Sequence, residues 1–113
     1  MTDHATKTAA FRALKASIGL KAEDLAPLLG ISVGHFRNIV GGQRPPSRRV
    51  IDAMICVTQM IDEYARRYVD AAIEGSDPYW AIPDSLHRVA AGRAYARLDP
   101  DVRDRLAISD QSK

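Results

Sequence analysis

The chain has little that points to chemistry. It holds one cysteine, Cys56, among 113 residues. An internal disulfide is therefore excluded, and Cys56 has no second thiol for a cysteine metal site. Its place in the apolar run "MICV" predicts a buried structural thiol. Long apolar runs are missing too. Nothing approaches the roughly 20 residues of a membrane span, and "MTDHATKTAA" lacks the apolar core of a secretory signal. The expectation is a cytoplasmic chain with no membrane partner. The three histidines, His4, His35 and His87, are far apart, with no H-x-x-x-H spacing. There is no glycine-rich phosphate loop and no nucleophile elbow, and Asp99 and Asp101 fit a helix start better than a catalytic pair. These absences predict no enzyme activity, no catalytic residues, no metal and no cofactor.

What is present favours a folded domain with a polyanion partner. Hydrophobic residues make up 46% of the chain, enough for a core. Charge is unevenly spread. Residues 1–50 carry eight Lys/Arg against three Asp/Glu, a balance of +5, whereas residues 51–113 carry eight against eleven, a balance of −3. Ordinary surface variation competes with the reading that the first half meets nucleic acid.

Helical periodicity runs through the sequence. Residues 1–6 are polar and expected to fray. Phe11, Leu14 and Ile18 form one stripe of a helix from Thr8 to Ile18, with Gly19 past its end. A second helix, Lys21 to Leu29, has Leu25, Leu28 and Leu29 as its apolar positions, and Gly30 ends it. Ser32 is placed to N-cap a third helix whose inward residues are Phe36, Ile39 and Val40. Gly41, Gly42, Pro45 and Pro46 stop that helix. A long fourth helix is expected over residues 47–75. Val50, Met54, Val57, Ile61, Tyr64, Tyr68 and Ala71 recur at alternating spacings of four and three, a heptad seam. Ile51, Ala53, Ile55, Cys56 and Met60 widen its apolar arc. "GSDPYWAIPDS" reads as a turn-rich linker, followed by a fifth helix from Ser85 to Leu98. Asp99 and Pro100 then start a last helix that passes into a polar tail. No strand shows convincing alternation.

The second and third helices carry the functional signal. A short glycine-bearing connection lets two helices cross steeply, so that the second can enter the major groove of DNA. Ala26 supplies the small residue at the crossing. The stretch "LKAEDLAPLLGISVGHFRNIVGGQRPPS" resembles the helix-turn-helix of Cro/C1-type (Xre-like) transcriptional regulators. Leu25, Ala26, Leu29, Gly30, Ile31, Ser32, Ile39, Gly42, Arg44 and Pro46 match the family pattern, and Phe36 replaces a branched aliphatic residue. The resemblance spans residues 8–60. It departs at Ala22, where the family has a phosphate-steadying Gln, and at Val40, where it has an acidic residue. Pro27 inside the second helix is expected to bend it.

The exposed face of the third helix is expected to read bases through Val33, Gly34, His35, Arg37 and Asn38. Arg pairs with guanine and Asn with adenine, Val33 suits a thymine methyl, and Gly34 permits close approach. Lys21, Ser32, Gln43, Arg44 and Arg48, with Arg49, are expected at phosphates. The competing readings are a solvated charge for Arg37, surface packing for His35, an end cap for Asn38, and a plain helix start for Arg48 and Arg49.

The resemblance implies a homodimer on a palindromic double-stranded operator, since one recognition helix reads only a few base pairs. Val57, Ile61, Tyr64, Tyr68 and Trp80 are expected at the dimer interface, with intrachain core as the alternative for the aromatics. The expected architecture is all-α: an N-terminal helix-turn-helix bundle with a long fourth helix and C-terminal helices for dimerisation. Residues 1–60 form the DNA-binding domain and 61–113 the dimerisation region. The expected function is a dimeric autorepressor of the phage or mobile-element type, including anti-CRISPR-associated regulators. The alternative is an antitoxin or anti-activator that uses the same fold to bind a protein partner.

Overall fold

The computed structural model describes residues 4–112. Its elements follow in the order α1 (His4–Ile18), α2 (Ala22–Leu29), α3 (Val33–Val40), α4 (Arg48–Glu74), β1 (Tyr79–Ile82), α5 (Ser85–Ala96), α6 (Pro100–Arg105) and β2 (Ala107–Asp110). The chain is thus mainly helical, with one small sheet among the described residues. It divides into two compact units, Met1–Gln59 and Met60–Lys113. Among the described residues, no helix is long and apolar enough to cross a membrane.

In the first unit α1 begins at His4, upstream of the expected start. No glycine or proline interrupts His4 to Thr6, so the helix continues before its first buried residue, Thr8. Phe11, Ile18, Leu20, Leu25, Ala26, Leu29, Phe36, Ile39, Val50 and Met54 form the core. The rings of Phe11 and Phe36 meet edge to face, with centroids 5.2 Å apart, and tie α1 to α3. Leu28 departs from expectation: it is 45% exposed. The buried side of α2 is centred on Leu25, Ala26 and Leu29, and Leu28 lies roughly 100° round the helix from that centre.

Three expectations on α4 are corrected. The buried line runs through Val50, Met54, Val57, Ile61, Ala65 and Ala72. It leaves the heptad positions Tyr64 and Ala71 for Ala65 and Ala72, one residue later, as a straight helix of about 3.6 residues per turn requires. Cys56 is exposed, not buried, because it stands roughly 140° round the helix from that line. Ile55 and Met60 are exposed as well, so the widened apolar arc is not fully covered within the chain.

The second unit contains the sheet that periodicity did not reveal. β1 and β2 pair in parallel, with Tyr79 opposite Ala107 and Ile82 opposite Asp110. Parallel strands need a long crossover, and α5 and α6 supply it. The expected linker is therefore partly a strand. Its side chains alternate, Trp80 and Ile82 buried, Tyr79 and Ala81 exposed. The expected polar tail contains β2, and just past it the Gln111 N–H donates to the Ile82 carbonyl at 2.8 Å. Asp84 N-caps α5 by accepting the His87 N–H at 2.8 Å. Pro100 opens α6 behind Asp99, as the sequence predicts.

Tyr68 organises this unit. The Trp80 indole N–H donates to the Tyr68 carbonyl at 2.9 Å, and the Tyr68 hydroxyl lies 2.9 Å from His87 Nδ1. Burial, and then the nearby Asp84 carboxylate, push the Tyr68 phenol above its ordinary 10.0. The folded state thus favours the neutral phenol. Its stabilising contribution is present below the unfolded value and is lost as pH rises through the higher folded value. Chemical denaturation between about pH 9 and 11 should show a steeper loss of stability for the native chain than for Tyr68→Phe.

Candidate nucleic-acid interface

The candidate site is built on α2, α3 and the turn between them. Gly30 closes α2 at φ 72°, a left-handed conformation that favours glycine. The Ile31 N–H donates to the Ala26 carbonyl at 3.2 Å and the Gly30 N–H to the Pro27 carbonyl at 3.1 Å, so the helix end is satisfied and the chain turns at once. Ala26 is fully buried, and Leu25 and Leu29 beside it are covered. Pro27 does not break α2, which runs from Ala22 to Leu29. In so short a helix the proline removes one backbone bond and no more.

Ser32 then caps α3, its Oγ accepting the His35 N–H at 3.0 Å. Phe36 and Ile39 point into the core at 0% exposure and set the helix's rotation. That rotation leaves Gly34, Arg37 and Asn38 exposed and Val33 and His35 half-buried. The far end of α3 is held by Arg12, whose Nε donates to the Val40 carbonyl at 2.7 Å.

The expected phosphate contacts are all exposed: Lys21, Ser32, Gln43, Arg44 and Arg48, with Arg49. They are not equally free. Ser32 is occupied as a cap, and Arg48 lies 3.9 Å from Asp52. The Arg49 guanidinium reaches the α2–α3 turn, where a side chain added at Gly30 would meet it at 3.7 Å. Sequence spacing did not single out Arg12 for the site. It also missed Glu23, whose carboxylate accepts from Arg37 at 2.6 Å. Fourteen residues separate Glu23 from Arg37, so only the crossing of α2 and α3 brings them together. Both are more than half exposed, and such pairs contribute about 0.2–1 kcal/mol.

Gly34 has open space around it, the nearest atom to an added Cβ being Ser32 Oγ at 4.0 Å. Gly34→Ala should raise the stability of the first unit by about 0.4–1 kcal/mol, measured by denaturant unfolding. If α3 lies close against a groove, the same methyl should weaken DNA binding.

The expected interface residues divide. Val57, Ile61 and Trp80 are buried within the single chain, at 3%, 0% and 1% exposure, which corrects their assignment to a dimer surface. Burial on the inner line of α4, and against Tyr68 for Trp80, leaves them little area for a second chain. Tyr64 and Tyr68 are half-buried around His87. Among the described residues no cluster of three or more His, Cys, Asp or Glu is placed to hold a metal.

No protein-family model matches the chain, and neither a curated protein nor a solved structure matches it.

Proposed function

We propose that this chain is a sequence-specific DNA-binding regulator of the Xre-like helix-turn-helix type, acting as a dimeric repressor on an inverted repeat. The observation that carries the reading is α3. It is an eight-residue helix anchored by Phe36 and Ile39, turned by Gly30, and exposing Gly34, Arg37 and Asn38 on one side. Arg37 and Asn38 suit bases, while Lys21, Gln43, Arg44, Arg48 and Arg49 suit the flanking phosphates. The +5 balance of residues 1–50 supports the same partner. With Val57, Ile61 and Trp80 inside the chain, the exposed Ile55 and Cys56 on α4 are better placed to meet a second copy.

Selection from random duplexes, followed by mobility shift, tests the reading. A palindromic consensus bound with strong salt dependence is the expected result. No enriched sequence, together with no shift on the gene's own upstream region, would sink it.

A second reading is a protein-binding module of the antitoxin or anti-activator kind. Two observations favour it: Leu28 is exposed on α2, and Arg37 is engaged by Glu23. Arg37→Ala separates the two. Loss of a protein complex with DNA binding intact would select the second reading.

A further inference from the structure

A cleft in the second unit plays no part in the DNA reading. It has a volume of about 240 Å³ and is walled by Tyr64, Tyr68, Tyr79, Trp80 and His87, with Arg67 among the lining residues. Four of these rings hold one another, and Tyr79 stands exposed at the rim. Tyr64 stacks on His87 with centroids 4.3 Å apart, and Tyr68 meets Trp80 edge to face at 5.0 Å. The contacts of Tyr68 with His87 Nδ1 and of the Trp80 indole with the Tyr68 carbonyl fix three of these side chains. A ligand would find the walls of Tyr64, Tyr68, Trp80 and His87 already ordered, which lowers the cost of binding.

Of the residues lining the cleft, Arg67 carries the fixed charge. Glu63 accepts from both Arg66 at 3.0 Å and Arg67 at 3.3 Å, so one carboxylate serves two guanidiniums and a positive charge is left over. The Arg67 guanidinium sits 5.8 Å from the Tyr64 ring centre. Two carboxylates act on the lining side chains from outside the cleft: Glu63, paired with Arg67, and Asp84, which caps α5 and acts on Tyr68. Aromatic walls offer faces and edges to a flat ring, and a guanidinium offers parallel N–H donors to a carboxylate. A volume of about 240 Å³ is below the usual range of about 300–1,000 Å³ for ligand pockets, which limits the occupant to a single ring with a short substituent.

We propose that this cleft binds a small aromatic carboxylate, its ring among Tyr64, Tyr79 and Trp80 and its carboxylate on Arg67. The site belongs to the second unit alone and stands whether or not the first unit reads DNA.

Trp80 is the one tryptophan of the chain, so its emission reports on the cleft. The full chain is titrated with phenylacetate, with the neutral 2-phenylethanol and with tetramethylammonium. Saturable change with phenylacetate is expected, with 2-phenylethanol binding about tenfold more weakly. Arg67→Gln, at an exposed position, should cost a similar factor for phenylacetate and leave 2-phenylethanol unchanged. Tyr79→Ala, also exposed, should weaken both. The proposal is overturned if the acid and the alcohol bind equally, if Arg67→Gln has no effect, if tetramethylammonium binds in their place, or if nothing saturates. Calorimetry on the same variants checks each outcome without relying on emission.

Discussion

Replacing Phe36 with alanine is expected to destabilise the first unit by about 3–5 kcal/mol, a large part of the margin of a small domain. The ring is fully buried and its removal takes away the edge-to-face contact with Phe11. The cavity would not close easily. α3 is fixed at its start by the Ser32 cap and at its end by the Arg12 bond to the Val40 carbonyl. Held at both ends, the helix cannot sink into the gap, and the lost contacts are not recovered. Trp80 lies in the second unit, so far-UV circular dichroism and amide exchange on α3 are the appropriate readouts. A loss below about 1 kcal/mol would mean that Phe36 is not the centre of this core. Phe36→Leu, which keeps most of the volume, should cost no more than about 1.5 kcal/mol.

One residue further on, Arg37→Ala should do the reverse. Its side chain is 65% exposed and its partner is Glu23, so stability should move by no more than about 1 kcal/mol. DNA binding should suffer instead. A bidentate arginine–guanine contact discriminates by about 1–3 kcal/mol, roughly a factor of 5 to 150. On the selected duplex the loss should be large, and on unrelated duplexes small. Glu23→Gln refines the test, because a base-reading Arg37 must leave Glu23 when it binds. Releasing it beforehand should leave specific binding intact or strengthen it. Equal losses on all duplexes with Arg37→Ala would make Arg37 a phosphate contact rather than a base reader.

The opposite fates of these neighbours show how far the sequence could be read. Phe36 and Ile39 recur at helical spacing and end up buried. Gly30 takes the left-handed turn and Ser32 the cap, each expected from residue type alone. Gly75 follows the last residue of α4, and Pro100 opens α6. Such features are local. They depend on backbone conformation, on the absence of a side chain or an N–H, and on a partner within four residues.

Where the reading fell short, the partner was distant or the pattern too brief. β1 is four residues between two prolines, and nothing within it announces a mate nearly thirty positions away in β2. Cys56 and Leu28 are apolar by type, and their exposure follows from small angular offsets that a count of spacings does not resolve. Trp80 is an aromatic residue in a turn-rich stretch, and only its covering by the chain's own residues shows it as core.

The sequence by itself thus determined most of the helices, their stops, and the exposed side of α3, because these are settled within a turn or two of backbone. Only the tertiary structure decided that Glu23 holds Arg37, that Arg12 secures the end of α3, and that four aromatic side chains and His87 line an open cleft beside Arg67. Each of those contacts joins residues whose separation along the chain carries no signal. Packing brings them together, and packing depends on the whole chain at once.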